Sequence, residues 1–153
     1  MPGHDGVGTV GAGAAGGLQI LLVDDDAQDV ALVEQSLLTR RPAGRLHHVS
    51  DGIQALEFLR RRGVHATAPR PDLVLLDLNM PRMDGREVLT IVKTDPQLRL
   101  IPVIVFTTSS SAPDVLASYA NSYITKPNDL DTLDHVIEKV YDFYSRLAAR
   151  PAT

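Results

Sequence analysis

Along this chain, short runs of apolar residues alternate with stretches in which apolar positions return every three or four residues, and the two patterns take turns five times. The runs at 18–23, 45–49, 73–76, 102–107 and 122–125 are too short for helices, and each predicts a strand. Leu73-Val74-Leu75-Leu76 has no polar alternation and reads as a strand buried on both faces. Between the runs, helical spacing predicts helices over 27–40, 53–62, 86–93, 112–120 and 130–147. Five strand-helix units in succession predict an α/β fold, a doubly wound parallel sheet with helices on both faces.

Local signals mark some boundaries. Asp26 and Asp84 suit the N-caps of the first and third helices, because a short side-chain oxygen can accept from the free amides of a first turn. Gly63 suits the end of the second helix. In the last helix Leu130, Leu133, Ile137, Val140, Tyr144 and Leu147 form one apolar face, while Val136 and Phe143 lie off it. That second strip is either a partner surface or a widening of the core-facing stripe.

Composition narrows the field. A chain of 153 residues fits one domain, which can bury roughly 68–70 % of the surface its unfolded form exposes. Residues 1–17 hold seven glycines and few large apolar side chains, which predicts a disordered tail before a domain spanning 18–150. No second, output domain is expected. The absence of cysteine removes disulfides and thiolate metal sites. Net charge is −4, and basic residues are scattered except at Arg40-Arg41 and Arg60-Arg61-Arg62, so no nucleic-acid stripe is expected. No run is long enough to span a bilayer, and the amino terminus has neither the basic start nor the apolar middle of a signal peptide. A cytoplasmic protein without membrane association is expected. His4, His47, His48, His65 and His135 share no metal-ligand spacing and are expected at the surface or on strand edges.

The candidate chemistry lies at the strand ends, which a parallel sheet delivers to one rim. They are Asp24 and Asp25 after the first strand, Asp77 after the third, Thr107 and Thr108 after the fourth, and Lys126 after the fifth. Any one alone has a bland reading: Asp as a helix cap, Lys before Pro as a surface loop. Together on one edge they read as a site. Three carboxylates in proximity repel, and a hard divalent cation such as magnesium relieves the repulsion while keeping sites for phosphate oxygens. A carboxylate is also a competent nucleophile that can form an aspartyl phosphate. Thr107 can donate to one phosphoryl oxygen and Lys126 can neutralise another, so the set predicts phosphoryl transfer to Asp77.

Several motifs in order then identify a family. Leu21-Leu22-Val23-Asp24-Asp25, Leu75-Leu76-Asp77-Leu78-Asn79-Met80-Pro81 with Met83-Asp84-Gly85, Pro102-Val103-Ile104-Val105-Phe106-Thr107, and Tyr123-Ile124-Thr125-Lys126-Pro127 resemble the receiver domain of two-component response regulators. The resemblance implies a flavodoxin-like sheet of order 2-1-3-4-5 with five helices. It implies that Asp77 is the phosphoacceptor, and that Asp25, Asp77 and the backbone carbonyl of Asn79 bind Mg2+, with Asp24 acting mostly through water. It makes Thr107 and Lys126 the phosphoryl ligands, and Thr107 with Tyr123 the switch pair. It also implies a signalling protein phosphorylated by a sensor histidine kinase, assisting its own phosphorylation and slow dephosphorylation, rather than an enzyme.

Within the family, Thr107-Thr108-Ser109, Lys126-Pro127 with Asp129-Leu130-Asp131, and Tyr141-Asp142-Phe143-Tyr144 resemble the small stand-alone regulators that partner bacterial phytochromes. Those regulators are often dimers through the fourth helix, fifth strand and fifth helix, where Val136, Tyr141 and Phe143 are expected. This chain departs from the family pattern by being about three residues, nearly one helical turn, shorter between Thr107 and Lys126. Its fourth helix is therefore expected to be short or partly unwound. Two alternatives remain at this level. An aspartyl-nucleophile phosphatase generally has a second carboxylate two residues after the nucleophile, where Asn79 stands here. A flavodoxin-like binding module would hold a flavin near the serines at 109–111, which more simply form a loop into a helix.

Overall fold

The computed structural model describes residues 8–10, 17–40, 44–108, 120–127 and 129–148. Strands β2 (Gln19–Val23), β3 (Arg45–Val49), β4 (Leu73–Leu76), β5 (Val103–Thr107) and β6 (Ser122–Thr125) are mutually parallel and lie side by side as β3-β2-β4-β5-β6. Counted among themselves this is the flavodoxin-like order 2-1-3-4-5. The described helices are α1 (Ala27–Leu38), α2 (Gly52–Arg60), α3 (Gly85–Thr94) and a C-terminal helix (Leu130–Ala148). The helix expected over 112–120 lies outside the described residues, apart from its last position.

The two-residue period of the strands divides the core into two layers. Leu21 and Val23 of β2, Val74 and Leu76 of β4, and Val103 and Val105 of β5 face α2 and α3. Ile20 and Leu22, Leu73 and Leu75, and Ile104 and Phe106 face the opposite way, against Val33 and Leu37 of α1 and Leu133, Ile137, Tyr141 and Tyr144 of the C-terminal helix. The central strands are apolar on both faces for this reason, and the register leaves every strand pointing its carboxyl end at one rim.

A short strand β1 (Gly8–Val10) pairs antiparallel with β3, Thr9 opposite His47. It falls within the stretch expected to be a disordered tail, and it departs from that expectation because, among the described residues, β3 has no other neighbour on that side and its open backbone groups accept a partner.

Asp26 and Asp84 cap α1 and α3 as expected, accepting from the Gln28 and Arg86 amides at 2.9 and 2.7 Å. Gly63 does not end α2. The helix stops two residues earlier on Arg61, which takes the left-handed conformation (φ 56°), and Gly63 (φ 60°) opens a short 3-10 turn, Gly63–His65.

Two further expectations are corrected. His47 and His65 are buried, with both rings against Phe58 at 5.4 Å and His47 Nε2 within 2.7 Å of Gln19 Oε1. Both imidazoles pack as flat aromatic core residues there, His47 with one ring nitrogen satisfied. Tyr141 is also buried, and its hydroxyl accepts from the Leu18 amide at 3.4 Å, so it belongs to the core and not to a partner surface. On the C-terminal helix the exposed apolar side chains are Leu130, Phe143 and Leu147, with Val136 half-buried.

Candidate functional site

Three of the rim residues, Asp24, Asp77 and Lys126, are each held one position past the end of a strand by one more ladder hydrogen bond. The amide of Asp77 donates to Val23 O (2.9 Å), that of Asp24 to Val49 O (3.1 Å) and that of Lys126 to Thr107 O (2.8 Å). Backbone pairing thus positions these side chains, with no dependence on loop conformation.

Their side chains converge. Lys126 Nζ donates to Asp24 Oδ2 (2.8 Å), to Asp29 Oδ2 (2.6 Å) and to Asp77 Oδ2 (3.3 Å). Asp24 is fully buried, Asp77 nearly so, and Asp25 exposed. Oxygens of these three carboxylates all lie within 4.8 Å of one another. Asp24 Oδ1 accepts from the Asp26 amide (2.9 Å), and Asp77 Oδ1 from the Asn79 amide (3.2 Å). Thr107, fully buried, accepts at Oγ1 from the side-chain amide of Asn79 (3.3 Å). Tyr123, one residue into β6, is half-buried and packs against the layer that contains Val23 and Leu76.

Sequence reasoning missed Asp29. It stands in the first turn of α1, where an acid is ordinarily read as a complement to the helix dipole. The available signal was that α1 starts at the rim, so its first turn must face the site. His48 was also missed; its Nε2 lies 2.7 Å from Asp24 O and ties β3 to the same loop.

Four clustered carboxylates, three of them on one ammonium, leave an excess of negative charge in a partly dry site. Burial pushes the Asp24 carboxyl up from 3.8 to about 6, against the opposing pull of Lys126 and the Asp26 amide. For Lys126 burial favours the neutral form, but its hydrogen bonds to Asp24 and Asp29 and the charges of Asp24 and Asp77 outweigh that and hold the ammonium above its ordinary range. An all-oxygen donor set with surplus negative charge fits a hard divalent cation.

A family model for the response regulator receiver domain matches residues 20–138, most of the chain. The chain belongs to the response regulator receiver family. Its matched span contains every rim residue named above. Among curated relatives, response regulator Rcp1 of Synechocystis sp. is 42 % identical over 136 residues, which are 87 % of this receiver and 92 % of Rcp1. Among solved structures, the phosphorylated cyanobacterial phytochrome response regulator RcpA superposes with a TM-score of 0.80 at 40 % identity, covering 89 % of this receiver and 99 % of RcpA. The Mn2+-bound form of Rcp1 superposes with a TM-score of 0.78 at 41 % identity, covering 88 % and 99 %. This receiver is thus a signalling domain related to phytochrome response regulators. No described helix is long and apolar enough to cross a membrane.

The elevated Asp24 carboxyl has a testable consequence for the metal-free receiver. Between pH 3.8 and about 6 the native state keeps the Asp24 proton that the unfolded chain has lost, so this group's contribution to stability falls as pH rises through that window. In chelator, the stability of wild type relative to Asp24→Asn is expected to decline from about pH 4 to about pH 6.5. Cation binding requires the ionised carboxylate, so divalent affinity is expected to rise over the same window. Urea titrations of both proteins check the first effect, and a pH-independent difference between them would contradict it.

Proposed function

We propose that this receiver accepts a phosphoryl group from a sensor histidine kinase onto Asp77 in the cytoplasm, with Mg2+ as the bound cation. The observation that carries the reading is a nearly buried carboxylate at a strand end, 3.3 Å from a buried ammonium and clustered with two further carboxylates. Asp24, Asp25, Asp77 and the backbone carbonyl of Asn79 are the residues that would hold Mg2+, Asp24 mostly through water. The cation would supply charge neutralisation to the transferring phosphoryl group.

The chain's own residues do the rest. A carboxylate oxygen of Asp77 attacks phosphorus; the new O–P bond forms as the bond from phosphorus to the donor histidine nitrogen breaks, and that electron pair returns to the imidazole. Lys126 is already held at the site by Asp24 and Asp29, so its ammonium can meet one phosphoryl oxygen by exchanging its long 3.3 Å contact to Asp77 for it. Thr107 donates to another and draws Tyr123 with it, which converts the chemical state into a change of surface. Position 79 offers an amide in place of a second carboxylate, so this position supplies no acid/base group for hydrolysis, and the aspartyl phosphate persists as a signal.

The names of the related regulators support a bacterial phytochrome as the kinase. Phe143 and Leu147, more than half exposed on the C-terminal helix, support a homodimer through that helix and the neighbouring fifth parallel strand.

Acetyl phosphate with Mg2+ is expected to add one phosphate per chain by intact mass, with none added in chelator. Uptake that ignores chelation would overturn the reading. Mg2+ at about 100 times its dissociation constant is further expected to stabilise the fold by about 2.7 kcal/mol, since only the native state assembles the cluster. Thermal melts in Mg2+ and in chelator measure this.

A further inference from the structure

At the rim opposite Asp77 lies a groove of about 580 Å³ that the phosphoacceptor site does not use. α2 runs back from the site rim, so its carboxyl end arrives where the strands begin, and Arg70 precedes β4 there while Asp77 follows it. The walls are Arg60, Arg61, Arg62 and Arg70, and the floor includes the buried Leu59 and Leu98.

A basic residue at a helix carboxyl end complements the helix dipole, which accounts for Arg60 but not for Arg62 or Arg70 beyond it. Arg60 is 3.7 Å from Asp95, a long and half-satisfied pairing, and Arg70 gives one nitrogen to Gln97 O at 2.9 Å. Among the described residues no carboxylate lies within ion-pair distance of Arg61 or Arg62, and Arg61 sits in the left-handed conformation that turns the chain around the groove. Among the described residues lining the groove, four guanidiniums against the single carboxylate of Asp95 leave three positive charges in one concavity, on a chain whose net charge is −4.

We infer that this groove binds a small organic polyphosphate of the nucleoside di- or triphosphate class. Planar guanidinium forks match phosphate oxygens pairwise. A di- or triphosphate supplies about the charge needed to neutralise the groove within one small molecule, whereas a peptide would need several acids in a row. The volume falls in the range of small-ligand pockets. The apolar floor offers a surface on which a base can lie. Because the groove and Asp77 are at opposite ends of β4, occupancy leaves the phosphoacceptor accessible, and the site is independent of the function proposed above.

Calorimetric titration of the 153-residue chain in chelator, which keeps the carboxylate cluster out of play, tests this with ATP, pyrophosphate, AMP and adenosine. ATP is expected to bind saturably and about tenfold or more tighter than AMP, and Arg61→Gln with Arg62→Gln to weaken ATP by about tenfold or more. Asp77→Asn is expected to bind as wild type does. Equal binding of pyrophosphate and ATP would support the inference and assign recognition to the phosphates alone. Circular dichroism verifies that the double variant folds, and Arg70→Gln gives the same readout should it not. Heats that never saturate with ATP, an unchanged affinity in the folded double variant, or binding of an acidic peptide where ATP fails would each overturn it.

Discussion

Asp77→Asn is expected to take up no phosphate from acetyl phosphate and Mg2+ under conditions in which the wild type takes up one. The substitution is close to isosteric. The side-chain oxygen can still accept from the Asn79 amide, now 3.2 Å from Asp77 Oδ1, and the backbone bond to Val23 O is untouched. What disappears is the nucleophile, because a carboxamide nitrogen shares its lone pair with the carbonyl and the remaining oxygen carries no charge. Loss of chemistry must be separated from loss of fold, and the electrostatics supply the means. Asp24, Asp29 and Asp77 share one ammonium and Asp25 lies beside them, so removing a negative charge relieves repulsion in the metal-free state. The variant is therefore expected to melt at or above the wild-type temperature in chelator and to show weaker stabilisation by Mg2+. Phosphate uptake equal to wild type would remove Asp77 from the role proposed for it. A variant that is inactive and also melts lower would mean that its inactivity says nothing about chemistry.

The sheet and its rim were legible in the sequence because both rest on backbone regularities. Strands apolar on both faces have one architecture available, and parallel order brings their carboxyl ends together whatever the loops do. Asp24, Asp77, Thr107 and Lys126 follow from that alone. Asp29 was hidden because its contact is tertiary: an acid in a helix's first turn looks the same whether it faces water or Lys126. His47, His65 and Tyr141 were misplaced for a related reason. Amphipathic rings are read as surface residues by type, yet His47 and Tyr141 each have a polar atom with a partner, and all three rings fill core space. The end of α2 escaped because Arg61 takes a left-handed conformation that residue type assigns to glycine. The edge strand β1 depends on an open partner edge, which no local signal in residues 8–10 reports.

Gly85→Ala is expected to give the largest loss of stability of any single methyl group added near the site, and to impair the site with it. Gly85 begins α3, directly after the capping Asp84, and its amide donates to Leu78 O at 3.1 Å. A Cβ there would press into the carbonyl oxygen of Asp77 and lie 2.8 Å from Leu78 Cα. Both obstacles are backbone, so no side chain can swing away. Either α3 lifts from the sheet, which disturbs the packing of the buried Val88, Leu89 and Val92, or the chain at Asp77 moves. Overpacking against backbone costs about 3 kcal/mol. A displacement of the nucleophile of about 1 Å can slow a positioned reaction on the order of a hundredfold. The sign makes the test sharp, because a glycine replaced by alanine at an unobstructed helical position gains up to about 1 kcal/mol from propensity and unfolded-state entropy. Gly63 provides the contrast: a Cβ there meets nothing within 4 Å, so Gly63→Ala carries only the strain of its positive φ, about 1–2 kcal/mol. Urea denaturation of the two variants, with the rate of phosphate uptake from acetyl phosphate, compares them directly. Gly85→Ala should lose more stability than Gly63→Ala and should alone lose rate; a stabilised Gly85→Ala would mean that the approach of α3 to the phosphoacceptor strand is looser than a bare Cα requires.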